Sequence, residues 1–150
     1  MKEIKRILVV SKVSKECRKA IDYGISLSKK YKAKLYILHV IHDPLAAWDL
    51  PMMNIHPARE EYKRIREGIK SHLDSIVSLE KNKGSDIKEY VKEGKLIDEI
   101  LRVVEEENID LIIMLAHKEG RLEHLLFCRD IEAIIRKMPC SIMLLKEDFP

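Results

Sequence analysis

The sequence predicts a three-layer α/β domain built on a parallel sheet, and three observations lead there. Short apolar, β-branched runs at Ile7–Val10, Leu35–Ile41 and Leu111–Leu115 have the character of strands buried on both faces. Stripes with helical spacing lie between such runs, as in Cys17, Ala20, Ile21, Gly24 and Leu27. The two kinds of segment alternate along the chain as β-α-β-α-β-α-β-α-β, the order that parallel strands with covering helices require. A chain of 150 residues is long enough for a real core and is expected to form one domain.

The elements follow in order. After the first strand, Ser11–Ser14 is a loop, with Ser14 placed to cap the helix that ends near Lys32. Leu35–Ile41 is the second strand, which Pro44 cannot continue. Leu45–His56, with Trp48, Met52 and Met53, is a connector expected to flank the carboxyl edge and to pack on the domain or on a second subunit. Pro57 suits a first helical turn, and Tyr62, Ile65, Ile69, Leu73 and Ile76 mark a long helix to about Leu79. Lys81–Ser85 is a turn, Asp86–Val91 an edge strand and Glu93–Lys95 a tight loop. Ile97, Ile100, Leu101 and Val104 give the next helix its stripe, with Asp98 and Glu99 expected at the surface. Asp110 leads into the strand Leu111–Leu115, and the polar loop Ala116–Arg129 follows. Ile131, Ile134, Ile135 and Met138 mark the last helix, Pro139 stops it, and Ser141–Leu145 is the last strand.

Composition narrows the function classes. The net charge of +3 is small and the basic residues are mixed with acids, so no nucleic-acid partner is expected. No apolar run is long enough for a transmembrane helix, and the N-terminus lacks the pattern of a signal peptide. Cys17, Cys128 and Cys140 are odd in number and widely spaced, which suits a reduced, cytoplasmic protein. No Ser-His-Asp or Cys-His spacing demands a catalytic reading, so a non-enzymatic role is expected.

The chain is similar to the universal stress protein family over nearly its whole length. The similarity is carried by Arg6–Val10, the helix containing Ala20–Ile25, Ala33–Val40, Gly94, Ile109–Ile113 and His117. It is completed by Ile134–Leu145, where Pro139-Cys140 precedes the apolar last strand. The resemblance implies a five-stranded parallel sheet of order 3-2-1-4-5, the adenine nucleotide alpha hydrolase-like fold. It also implies a role in stress response and a homodimer through the last strand, Ser141, Ile142, Met143, Leu144 and Leu145. That strand would be an apolar edge, and exposed edges tend to be paired or covered.

In that strand order, the crevice at the carboxyl ends of strands 1 and 4 is the topological switch point where ligands bind. It would be lined by Ser11–Ser14, the strand end around Val40, and Ala116–Arg129. ATP-binding members of the family carry G-x-x-G, nine residues, then G-[ST] after strand 4, so that bare backbone and helix N-terminal amides cradle the phosphates. They also carry an Asp after strand 1. Aligned without gaps back from Pro139, these positions are Leu115, Lys118, Cys128 and Arg129, with Lys12 in place of the Asp. Gly120 and Arg121 match a family Gly-Arg pair only with a two-residue deletion. The departure argues against ATP or AMP as a cofactor and resembles the family branch that lacks the motif.

Three other readings compete at the same residues. Lys12, Lys118, Arg121 and Arg129, with His117 and His124 nearby, could form a cationic crevice for an anion, or could simply be solvated. Cys128 near a helix N-terminus could be a redox-sensing thiol, or a small apolar filler; Cys17 and Cys140 read as core. His39 and His42 lie three apart on a strand end, which points them to opposite faces, so no metal site is expected from them.

Overall fold

The computed structural model describes residues 2–13, 15–41, 56–116 and 131–146, excluding the side chains of 56–59 and 62. Five strands form one parallel sheet: β1 (Arg6–Ser11), β2 (Lys34–Ile41), β3 (Ile87–Glu93), β4 (Leu111–Ala116) and β5 (Ser141–Lys146). Their order is β3-β2-β1-β4-β5, as the resemblance implies. Helices α1 (Cys17–Tyr31), α2 (His56–Asn82) and α3 (Leu96–Glu107) connect them, and residues 131–137 are helical before β5. Among the described residues, no helix is long and apolar enough to cross a membrane.

The two-residue period of the strands divides the core. Ile7, Val9, Leu35, Ile37, Leu111 and Ile113 face the layer holding Ala20 and Ile21 of α1 and Leu73 and Val77 of α2. Leu8, Val10, Tyr36, Leu38, Ile112 and Met114 face Ile100, Val103 and Val104 of α3 and Ile131 and Ile134. Near-continuous apolar runs in β1, β2 and β4 therefore reflect burial on both faces. β3 alternates weakly because it lies at the edge.

α1 comes unusually close to the sheet at Gly24. A Cβ there would lie 2.3 Å from Val9 Cγ2 and 3.1 Å from Leu35 Cδ1, both on fully buried side chains. Val9 is β-branched and has little freedom to move aside. Gly24→Ala is therefore expected to lower the urea midpoint. An overpacking cost of about 1–3 kcal/mol outweighs a helix-propensity gain of about 1 kcal/mol.

Element boundaries moved for local reasons. α1 starts at Cys17, with Glu16 in the cap position making no side-chain cap hydrogen bond; the expected cap, Ser14, lies outside the described residues. It ends on Lys32 in the left-handed region, whose N–H bonds back to the last turn. α2 runs to Asn82, past the expected end near Leu79, and Gly84 turns the chain with a φ of 93°. Gly94 makes the next turn at φ 133°, a backbone region that side chains disfavour.

The edge strand β3 is fastened to α3 by a polar cluster. Glu107 of α3 accepts from Lys88 Nζ at 2.7 Å and from the Tyr90 hydroxyl. The Lys88 ammonium and Tyr90 hydroxyl hold the Glu107 carboxyl down at about 2. A depressed carboxyl contributes its stability above its ordinary pKa and loses it as pH falls toward the folded value. Glu107→Gln is therefore expected to cost about 1 kcal/mol near neutrality. Its deficit relative to wild type should vanish as pH falls from about 4.5 to 2 in acid-unfolding curves.

Candidate functional site

The carboxyl edge begins where β1 ends. Ser11 is fully buried, and its hydroxyl accepts the Val13 N–H at 3.1 Å. This short turn holds Val13 at φ 57°, a region that a β-branched residue enters only at a cost of about 1–3 kcal/mol. Val13 is buried and Lys12 half-buried between them. β1 pairs with both β2 and β4, so the expected switch point between β1 and β4 is present.

The sequence-derived candidates have three different outcomes there. Lys12 lies at the β1 exit as expected. Val40 packs into the α3-side core and is buried. Leu115, which the ungapped alignment sets against the first cradle glycine, is only 2% exposed and packs into the α1-side core. His117, Lys118, Gly120, Arg121, His124, Cys128 and Arg129 lie outside the described residues, as do Ser14, His42 and the connector around Trp48. Close to Leu115, the start of α1 brings Lys15, Glu16, Arg18, Lys19, Asp22 and Tyr23 around an open depression of about 630 Å³. Lys19 Nζ also donates to the Lys146 carbonyl at 2.6 Å, tying α1 to the end of β5.

A second polar group lies on the α2 side of the sheet and was not visible in the sequence. The row of β2 facing that side reads Leu35, Ile37, His39, and His39 is fully buried. Its Nε2 lies 3.0 Å from Glu89 Oε2 on β3. Lys81 approaches the other Glu89 oxygen at 3.4 Å, and Lys70 pairs with Asp74 of α2 at 2.5 Å. The hydrogen bond with His39 holds the Glu89 carboxyl well below the usual range against the opposing effect of burial, and Lys81 and Lys70 add to it.

Glu99 corrects another expectation. It is buried, and Arg102 Nη1 contacts both carboxylate oxygens at 3.0 and 3.2 Å. Its position in the first turn of α3 also favours a negative charge. Asp98 is exposed, as expected. Cys17 is buried in the core. Cys140 is half-buried, and burial followed by the Asp110 charge pushes its thiol up to about 11, so it is an inert packing residue.

This arrangement can be set beside known proteins. The universal stress protein family matches residues 3–146. Universal stress protein MJ0577 of Methanocaldococcus jannaschii is 23% identical over 153 residues, covering 95% of this chain and 94% of that protein. A universal stress protein of Archaeoglobus fulgidus has the same fold, with a TM-score of 0.67 and 21% identity. The match covers 97% of this chain but 45% of that one, so this chain spans less than half of it. A universal stress protein solved in complex with cAMP has a TM-score of 0.60 at 14% identity, covering 96% of this chain and 98% of that one. With the sheet order, the β1–β4 switch point and a match over almost its whole length, the chain belongs to the universal stress protein family.

Proposed function

We propose that this chain is a non-enzymatic, cytoplasmic stress-response protein that works as a homodimer through protein contacts, with a crevice that does not cradle ATP. The observation that carries the reading is the outer edge of β5. β5 pairs with β4 on one side, while Ile142 and Met143 are half-buried and Leu144 is 42% exposed. An apolar edge strand of this kind is stabilised by pairing with another edge, and a second copy supplies an identical one. Buried Leu115 supports the ATP part: a cradle needs bare backbone where this chain packs a large side chain into its core. Sedimentation equilibrium of the full chain tests the dimer. A dimer at micromolar concentration is expected, and a monomer at tens of micromolar would overturn it.

A second reading has its own observation. Lys15, Arg18 and Lys19 gather at the start of α1 beside Leu115, in excess of Glu16 and Asp22 at the same depression. A relative holds cAMP, so an anion-binding role is the alternative. It predicts that AMP titrated at low salt binds, and that Lys15→Ala combined with Arg18→Ala weakens this at least tenfold. Absence of AMP binding to the wild-type chain would remove it.

A further inference from the structure

We propose that His39, Asp74 and Glu89 form a binding site for a divalent transition ion of the zinc class, between α2 and the edge strand β3. One ligand atom from each of the three residues lies within 4.8 Å of the other two. They come from β2, α2 and β3, so the fold and not local spacing assembles them. An imidazole with two carboxylates is a donor set for Zn²⁺ or a neighbour such as Co²⁺, and is poorly matched to the oxygen-only preference of Mg²⁺ and Ca²⁺.

The geometry is close to what an ion requires. A tetrahedral ion with bonds of about 2.1 Å sets its ligands about 3.4 Å apart. His39 Nε2 and Glu89 Oε2 are already 3.0 Å apart. Asp74 has the adjustment to make once it leaves the Lys70 ammonium, and its side chain is 43% exposed at the rim. His39 is an expensive residue for a purely structural position. It is fully buried where the strand's α2-facing row otherwise carries Leu35 and Ile37. Its Nδ1 has no hydrogen-bond partner among the described residues. The nitrogen that is used points into the carboxylate cluster. Buried half-satisfied rings are uncommon unless another role retains them.

Two lysines set the competition. Lys70 holds Asp74 and Lys81 holds Glu89, so the two carboxylates are neutralised by ammonium groups without a metal. An ion that enters displaces them, and Lys81, 42% exposed, has water to move into. Removing a competing ammonium must therefore tighten metal binding, whereas a cluster built only as an ion-pair network would gain no affinity.

The test uses the full chain with Zn²⁺ set by a chelating buffer. Zn²⁺ affinity is read from the shift in the urea midpoint, and the visible bands of Co²⁺ report the coordination. Zn²⁺ should raise the wild-type midpoint. Asp74→Asn, a near-isosteric change at a half-buried rim position, should weaken affinity at least tenfold, and Lys70→Met should strengthen it several-fold. His39→Gln should abolish the Co²⁺ bands; where that variant does not fold, Glu89→Gln gives the same reading. No midpoint shift in the wild-type chain overturns the proposal. So does equal affinity in Asp74→Asn, which would place the ion at other histidines or cysteines, or unchanged affinity in Lys70→Met.

Discussion

Leu144→Glu is expected to convert the proposed dimer to a monomer at concentrations where that proposal has the wild-type chain associated. Leu144 sits on the outer strand of the sheet, 42% exposed in the single chain, between half-buried Met143 and buried Leu145. An isologous interface brings the same patch from both copies together, so one substitution places two carboxylates in or beside the contact. Desolvating unpaired charges costs several kcal/mol, and about 3 kcal/mol corresponds to a dissociation constant raised more than 100-fold. The fold itself should be little affected, because the side chain is far from fully buried. Sedimentation velocity across a dilution series measures the shift, with Glu132→Gln as an exposed control. A Leu144→Glu chain that sediments as the wild type does would remove β5 as the interface.

Asp110→Ala is expected to lower stability more than the other substitutions proposed for this chain. The Asp110 carboxylate accepts the main-chain N–H groups of Lys5 and Arg6, each at 2.9 Å, and pairs with Lys2 Nζ at 3.1 Å. Its own N–H donates to the Arg6 carbonyl at 2.9 Å, so one residue fixes the start of β4 against the start of β1. The side chain is only 7% exposed. Losing a charged acceptor of two amides costs about 2–4 kcal/mol, read as a drop in the urea midpoint. Burial pushes this carboxyl up, but the Lys5 N–H, Lys2 and the Arg6 N–H more than reverse that, and the group is held below its ordinary value. Its contribution is therefore complete above the ordinary aspartate pKa and declines as pH falls below it. The gap between Asp110→Ala and wild type should narrow in acid, and a constant gap would contradict this account of its role.

The sheet was legible because its strands carry two strong signals. β1, β2 and β4 are apolar on both faces, and β3 is mixed where it meets solvent on one side. Their spatial order came from the resemblance, since alternation fixes parallel strands but not which are neighbours. Helix ends were less legible. Glu16, at the cap position of α1, makes no side-chain cap hydrogen bond, and α2 continues beyond its apolar stripe, so neither end carries a clear local signal. Glu99 looked like a surface charge because its partner, Arg102, is a turn away, and burial depends on the packing of α3. His39 was read beside His42, its neighbour in sequence, whereas the structure joins it to a strand 50 residues on. Pairing across a sheet has no local signature, and that is why the cluster under α2 was missed. Of the ligand candidates and motif positions named from the sequence, Lys12, Val40 and Leu115 lie among the described residues, and Val40 and Leu115 are core.

The most direct test of a contact role without nucleotide is the small-molecule content and ATP affinity of the purified chain. Protein isolated without added nucleotide is acid-extracted, the extract is quantified by chromatography, and ATP with Mg²⁺ is titrated calorimetrically into the same preparation. No nucleotide approaching one per chain and no saturable heat up to millimolar ATP are expected. One ATP or AMP per chain in the extract, or a saturable one-site isotherm, would contradict that role.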